Sequence, residues 1–193
     1  NGIGALLSKY DYTTSFYHGA FNGTMYFDNL IGKLDIDKYF GINEYPNQVE
    51  KDFDGTWGIY DEPYLKYWAE ELNNHNEPFL SCLFTITTHH PFVIPEKYNS
   101  IFKEGSLPIH KTLRYTDHAL RKFFDKVKTE SWYENTLFVI TSDHTSQKEK
   151  PKFKTMNGKF LIPLILYAPG DSTIFGKRKT IVNQIDIIPS IID

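Results

Sequence analysis

The sequence predicts an α/β fold in which a mainly parallel sheet is flanked by helices. Two apolar runs, residues 79–85 and 135–140, have the near-continuous hydrophobicity of strands that are buried on both faces. The stretches 62–74 and 110–128 carry apolar residues at spacings near 3.6, which is typical of helices with one face in the core. Strands that alternate with helices along the chain indicate a parallel sheet.

The remaining elements complete this order. We predict further strands at residues 13–17 and 160–168, and further helices at residues 1–9, 25–34 and 185–193. Asp61 is a suitable N-cap for the helix 62–74, and Pro63 lies in its first turn, where a missing N–H costs nothing. Pro163 cannot donate a ladder hydrogen bond, so the last strand should lie at a sheet edge or contain a bulge.

The composition fits one globular domain that spans residues 1–193. Hydrophobic residues make up 40% of the chain and aromatic residues 16%, which is enough to fill a packed core. The formal net charge is -3, and the lysines and arginines are scattered along the sequence, so we expect no nucleic-acid partner. No apolar run approaches the ~20 residues that a membrane-spanning helix needs. The one cysteine, Cys82, lies in an apolar run and should be a small buried side chain.

Asp143 and His144 follow the apolar run 135–140 and therefore lie where α/β sheets bind ligands, just beyond the carboxyl end of a strand. A carboxylate oxygen and an imidazole nitrogen side by side are a suitable pair of ligands for a divalent metal ion. The same two groups could instead act as an acid–base pair without a metal, or simply form a solvated turn. The dipeptide alone leaves all three interpretations open.

A second polar tract follows the run 79–85, where His89 and His90 stand directly before a proline. Proline favours an extended backbone at the preceding residue, so the two adjacent imidazoles should point in opposite directions. One of them can then face a cleft while its neighbour packs. His18, at the end of the first strand, is either a cleft residue or a polar residue in a turn. Trp57 is either a core residue or the wall of a pocket.

Three phrases occur together and in order along the chain: Trp57-Gly58-Ile59-Tyr60-Asp61-Glu62, Thr88-His89-His90-Pro91-Phe92 and Asp143-His144. As a set they resemble the sulfatase-type catalytic domain of the alkaline phosphatase superfamily, and within it the lipoteichoic acid synthase and phosphoglycerol transferase branch. The segments 19–28, 54–58 and 184–190 strengthen this likeness, which covers nearly the whole chain. The resemblance implies an alkaline-phosphatase-like fold that is incomplete at its amino terminus.

The resemblance also implies roles for individual residues. Asp143 and His144 would be ligands of a divalent cation, which is Mn²⁺ in the synthase branch, with Ca²⁺, Mg²⁺ or Zn²⁺ as alternatives. His89 would contact the phosphate or phosphoglycerol group of the substrate, and Trp57 would line the glycerol-phosphate pocket. His18 is a further candidate for substrate binding.

In this family a metal-bound threonine hydroxyl attacks phosphorus or sulfur, and water or an acceptor alcohol then resolves the covalent intermediate. No threonine here stands in the family's context for the nucleophile, which we therefore expect upstream of residue 1. We expect the 193-residue chain to be inactive on its own. The resemblance further implies a parent protein with amino-terminal membrane helices. It would carry this part as a soluble segment on the extracytoplasmic side of a bacterial cytoplasmic membrane.

Three hypotheses for the function follow from these observations. The first is a metal-dependent enzyme that transfers or hydrolyses phosphoglycerol-type phosphoesters or sulfoesters, and the sequence leaves phosphate and sulfate both open. The second is a noncatalytic α/β domain that binds an anionic polymer or partner, and the third is a hydrolase that uses Asp143 and His144 as an acid–base pair without a metal. Replacing Asp143 by Ala in a chain that includes the upstream residues would separate the first hypothesis from the others, because only a metal-dependent enzyme would lose metal and activity together.

Overall fold

The structure of the protein is a computed structural model that describes residues 2–46 and 48–192. Seven α-helices and five strands are formed by these residues. The helices are α1 (Ile3–Leu7), α2 (Phe27–Lys33), α3 (Val49–Asp52), α4 (Asp61–Leu72), α5 (Ile109–Val127), α6 (Pro151–Lys154) and α7 (Ile187–Ile192). The strands are β1 (Thr13–His18), β2 (Lys38–Phe40), β3 (Phe79–Phe84), β4 (Phe138–Thr141) and β5 (Leu164–Tyr167).

The strands form one parallel sheet and one antiparallel pair. β1 is the central strand of the parallel sheet, in the order β2–β1–β3, with Tyr17 opposite Phe40 on one side and Leu83 on the other. β4 and β5 pair antiparallel, with Phe138 opposite Tyr167. The predicted α/β class with a parallel sheet flanked by helices is confirmed, whereas the separate antiparallel pair was not predicted.

Helices lie on both faces of the parallel sheet. The side chains of β1 alternate between those faces, and large apolar residues point to each of them. Phe16 points towards α2 and packs with Phe27 and Ile31. Tyr17 points to the opposite face and packs with Tyr64 of α4. All residues of β1 except the first are buried, so this strand lies at the centre of a helix–sheet–helix sandwich.

The largest core cluster lies between α4 and α5. Facing stripes at helical spacing form it: Leu65, Ala69, Leu72, Ala119, Phe123 and Val127. Each large apolar side chain that is fully buried in this way stabilises the fold by about 1.5–3 kcal/mol relative to an exposed one. Trp132 and Phe138 extend the cluster, so β4 is attached to the α4–α5 pair by apolar contacts.

The predicted helix 25–34 begins later than expected. α2 starts at Phe27 because Met25 and Tyr26 both adopt the left-handed backbone conformation, with φ of 57° and 59°. That conformation costs roughly 1–2 kcal/mol for a non-glycine residue and cannot continue a right-handed helix. Both side chains are exposed to solvent.

Two other predictions change in detail. The strand predicted at 160–168 is shorter, since β5 begins at Leu164, directly after the proline that limits it. The prediction of a buried Cys82 is wrong, since this residue is exposed on β3, an edge strand of the parallel sheet, where it lies beside Phe16. β2 was not predicted, because three residues are too few to show a period.

The outer ends of the first and last predicted helices, Asn1 and Asp193, lie outside the described residues. α1 and α7 occupy parts of the two predicted segments that the structure describes. Within residues 2–46 and 48–192, no helix is both long and apolar enough to cross a membrane.

Candidate functional site

The candidate site forms at the carboxyl end of the parallel sheet. His18 lies opposite Phe84, so the segments that follow β1 and β3 leave the sheet at the same edge. The loop before α4 joins them there, because the Ile59 N–H donates a 2.8 Å hydrogen bond to the Gly19 carbonyl. The turn after β3 carries His89. Three loops that are distant in sequence therefore meet at one edge.

His89 and Trp57 are in direct contact at this edge. Their rings meet edge to face with centroids 4.5 Å apart. The indole Nε1–H of Trp57 donates a 2.6 Å hydrogen bond to the carbonyl of His90. The Nδ1 of His89 lies 3.0 Å from the same carbonyl, which can only accept, so Nδ1 carries the ring proton. Nε2 is then the nitrogen left to meet a ligand, and the His89 side chain is exposed.

A turn that is closed by the carboxylate of Asp54 holds Trp57 in place. Asp54 Oδ1 accepts hydrogen bonds from three consecutive backbone N–H groups at 2.8, 2.7 and 3.1 Å, those of Thr56, Trp57 and Gly58. A Cβ at Gly58 would lie 2.1 Å from the carbonyl oxygen of Gly19, so the close approach of the two loops requires glycine there. The position of Trp57 is thus fixed through its backbone.

Asp61 is a buried acid that links the turn after β3 to two helices. Asp61 is the first residue of α4 and is 2% exposed. Oδ1 accepts from the N–H groups of Ile86 and Thr87, both at 3.0 Å, and Oδ2 accepts from the Thr116 hydroxyl at 2.6 Å. The prediction that Asp61 caps its own helix is wrong, because Tyr60 is the N-cap residue and the Asp61 carboxylate binds elsewhere.

Asp143 and His144 lie beyond the carboxyl end of β4. Asp143 Oδ2 is 3.2 Å from His144 Nε2, and Asp143 Oδ1 accepts from the backbone N–H of His144 at 2.9 Å. The Nδ1 of His144 lies 2.8 Å from the Thr145 carbonyl and therefore carries a proton. The side-chain amide of Gln184 donates to the carbonyls of Ser142 and Asp143, both at 3.0 Å, which fastens the carboxyl-terminal segment to this loop.

The chemistry of this pair fits a cation. The ring proton of His144 is on Nδ1, so the lone pair of its Nε2 faces Oδ2 of Asp143. A single cation between Nε2 and Oδ2, either a proton or a metal ion, can bind both atoms. A small divalent ion in octahedral geometry holds adjacent ligands about 3 Å apart. In the described part of the chain, no three His, Cys, Asp or Glu side chains form a group that could hold a metal ion. The pair thus offers two donors, and a metal centre that also involves His89 stays a prediction.

His18 lies inside the protein. It is 2% exposed, its Nδ1 is 3.1 Å from the Phe84 carbonyl, and its ring packs edge-on against Phe27 and Phe84. Burial lowers the pKa of its imidazole, which favours the neutral form. The structure therefore places His18 in the core layer beneath α2 and not on the surface with His89. Its role in substrate binding stays a prediction.

The whole chain, residues 1–193, matches the family model described as Sulfatase. The chain belongs to the Sulfatase family. Lipoteichoic acid synthase 1 of Bacillus subtilis (strain 168) is 27% identical over a 201-residue alignment, which covers 95% of this chain and 31% of that protein. The chain thus spans about a third of the length of this curated relative. The resemblance to lipoteichoic acid synthases is confirmed.

Solved structures agree with this family. A protein in the alkaline phosphatase superfamily from Vibrio parahaemolyticus matches with a TM-score of 0.72 and 27% identity, covering 86% of this chain and 40% of that one. The Streptococcus pyogenes phosphoglycerol transferase GacH matches with a TM-score of 0.58 and 13% identity, covering 82% and 44%. At that identity the second match shows the fold alone.

Two features of the structure were not predicted, the partners of Asp61 and the exposed pair Met25 and Tyr26. The partners of Asp61 lie at least 25 residues away in sequence, so no local pattern reveals them. Met25 and Tyr26 are exposed in the short 3-10 turn that precedes α2, although they lie in the segment 25–34 that was predicted to be one helix. The Asn22-Gly23 pair before them is a turn signal that could have corrected this assignment.

Proposed function

We propose that this chain is part of a metal-dependent sulfatase-family domain that transfers or hydrolyses phosphoglycerol-type esters. His89 and Trp57 bind the phosphoglycerol group, and Asp143 and His144 hold a divalent cation, with Mn²⁺ as the first choice. The observation that carries the proposal is the contact between His89 and Trp57 at the carboxyl end of the sheet. Further support comes from the relative named as a lipoteichoic acid synthase and from GacH, whose structure was solved in complex with sn-glycerol-1-phosphate.

The two side chains suit the two parts of such a ligand. Nε2 of His89 can take up a second ring proton and donate it in a hydrogen bond to a phosphate oxygen, and a charged acceptor makes that bond stronger than a neutral one. The indole of Trp57 offers an apolar face to the glycerol carbons, while its N–H remains bonded to the His90 carbonyl. A divalent cation, when bound, would stabilise negative charge on the nonbridging oxygens. The nucleophile belongs to a segment upstream of residue 1, in a parent protein anchored on the outer side of the cytoplasmic membrane.

Ligand binding is tested by titrating sn-glycerol-1-phosphate into the chain and following the side-chain NMR signals of His89 and Trp57. His89→Ala removes a hydrogen bond to a charged group, which contributes about 1.5–3 kcal/mol, so binding should weaken roughly 10- to 100-fold. His90→Ala is the matched control, because it removes the neighbouring imidazole and keeps the carbonyl that Trp57 uses. Equal loss in both variants would contradict the role of His89. A sulfate monoester as competitor would show which ester the site prefers.

The cation site is tested with Mn²⁺ itself, whose paramagnetism broadens the NMR signals of nearby nuclei. Broadening should centre on Asp143 and His144 and disappear in Asp143→Ala. Mg²⁺ is the diamagnetic control. Broadening that persists in Asp143→Ala, or that centres elsewhere, would contradict the assignment.

The reaction itself requires a longer chain that includes the upstream segment. We expect phosphodiester turnover by that chain, loss of turnover together with Mn²⁺ in its Asp143→Ala variant, and no turnover by the 193-residue chain. If the longer chain binds sn-glycerol-1-phosphate without turnover, the protein is a binding domain for an anionic ligand instead.

A further inference from the structure

Asp61 and the turn after β3 bind each other in both directions. The carboxylate accepts from the N–H groups of Ile86 and Thr87, and the Asp61 N–H donates to the Thr87 hydroxyl at 3.0 Å. The acid is nearly fully buried, so these groups have little water to replace a lost partner. The first residue of α4 is therefore tied to the turn after β3 by three hydrogen bonds.

The hydrogen bonds continue from Asp61 to His89. The carbonyl of Ile86 accepts from the N–H of His89 at 3.0 Å, and the carbonyl of His89 accepts from the N–H of Phe92 at 2.8 Å. The Ile86 residue is thus held at its N–H by Asp61 and at its carbonyl by His89. Only this one residue separates the buried carboxylate from the backbone of the exposed imidazole.

The same two segments also meet at the surface. Trp57 lies four residues before Asp61, and its indole N–H binds the carbonyl of His90. The segment before α4 and the turn after β3 are therefore joined at a buried end by Asp61 and at an exposed end by Trp57. Movement at the buried end would change the contact between the Trp57 and His89 rings.

We propose that Asp61 is a positioning residue of the candidate site, whose carboxylate holds the turn after β3 so that His89 meets Trp57. The importance of this arrangement for a phosphoglycerol ligand rests on the proposed function, whereas the positioning itself can be measured without a ligand. The two carboxylate oxygens of Asp61 bind different elements, and these two roles are its two tasks. Oδ1 holds the turn, and Oδ2 holds α5 through Thr116, so the two tasks can be removed separately.

The variants follow from this division. Asp61→Ala removes both tasks. Thr116→Val is the matched control, because it removes the bond to α5 and keeps both bonds to the turn. Asp61→Asn is the conservative rescue, since its amide oxygen can still accept from the Ile86 and Thr87 N–H groups. Asp61→Glu keeps the charge but places the carboxylate one methylene further out, and it serves if Asp61→Ala does not fold.

The readouts are the unfolding midpoint and the NMR signals of the Trp57 indole N–H and the His89 ring. A purely structural role would lower the midpoint in Asp61→Ala and Thr116→Val alike and leave both signals in place. We expect Asp61→Ala and Asp61→Glu to shift the Trp57 and His89 signals and to lose the contact between the rings. Thr116→Val should lose stability with both signals unmoved, and Asp61→Asn should restore them.

Two results would overturn the positioning role. One is an unmoved pair of signals in a folded Asp61→Ala or Asp61→Glu variant. The other is an equal shift in Thr116→Val, which would mean that general loosening moves the turn. Titration of the unmodified chain with sn-glycerol-1-phosphate is judged separately, because failure to bind would count against the proposed function while the signals still decide the role of Asp61.

Discussion

At the scale of single residues, most of the imidazoles are oriented by the same kind of contact, between Nδ1 and a backbone carbonyl. Four of the seven histidines, His18, His75, His89 and His144, direct Nδ1 at a backbone carbonyl at 2.8–3.1 Å. A carbonyl can only accept, so the proton is placed on Nδ1 and Nε2 keeps a lone pair. In His89 and His144 that lone pair belongs to an exposed ring, whereas in His18 it is enclosed by aromatic side chains. Burial thus decides which oriented imidazole can meet a ligand.

Trp57→Phe isolates the contribution of the indole N–H. The variant keeps an aromatic ring beside His89 and loses the hydrogen bond to the His90 carbonyl. One such bond contributes about 0.5–1.5 kcal/mol, so sn-glycerol-1-phosphate should bind roughly 2- to 10-fold more weakly, as measured by calorimetry or NMR titration.

Trp132→Phe is the control for this change. Trp132 also donates its indole N–H, at 2.8 Å to the Asn73 side chain, but it belongs to the core cluster between α4 and α5. Its variant should lower stability with binding unchanged. Equal weakening of binding in both variants would show that the indole N–H acts through the fold and not at the site.

At the scale of elements, the periodicity of apolar residues predicted the two long helices. α5 and α4 lie within about two residues of their predicted bounds, because their apolar stripes persist over several turns. The antiparallel pairing of β4 with β5 was not predictable, since both strands read as buried runs and pairing is decided by tertiary contacts. His89 and Trp57 were identified through a family phrase. The partners of Asp61 were not, because a hydrogen bond between distant segments leaves no local trace.

The contact between α4 and α5 should be the main source of helix stability. Leu65 on α4 is 1% exposed, so Leu65→Ala should cost about 2–5 kcal/mol of unfolding free energy through lost burial and a residual cavity. Leu113 on α5 is 49% exposed, and Leu113→Ala should change stability by less than about 0.5 kcal/mol. Urea unfolding of both variants measures the difference. Similar losses would show that the two helices do not form the principal core.

At the scale of the whole molecule, the buried His18 and the half-buried His75 should make the fold sensitive to acid. His75 is half-buried, with Nε2 at 2.8 Å from the Ser15 hydroxyl, which in turn lies 2.9 Å from the Ser81 hydroxyl. Ser81 also accepts the indole N–H of Trp68 at 2.8 Å. Burial lowers the pKa of both His18 and His75 from the ordinary 6.5, so the folded state prefers both rings neutral.

Stability should therefore fall as the pH drops below about 6.5. In that range the unfolded chain binds more protons than the folded chain, and the free energy of unfolding rises with pH until the unfolded pKa has been passed. Urea midpoints at pH 7.5 and pH 5.5 measure the effect. The loss should be smaller in His75→Gln, which cannot titrate at this position. An identical loss in that variant would assign the acid sensitivity to other groups.

The contact between Trp57 and His89 also supplies the protein with an optical reporter. The Trp57 and His89 rings are in van der Waals range, so a change in this contact changes the surroundings of the Trp57 indole. Trp132 is buried and Trp68 is stacked on Phe123, so Trp57 should emit at the longest wavelength of the three tryptophans. The red edge of the fluorescence spectrum should therefore report changes in the contact between Trp57 and His89 without any label.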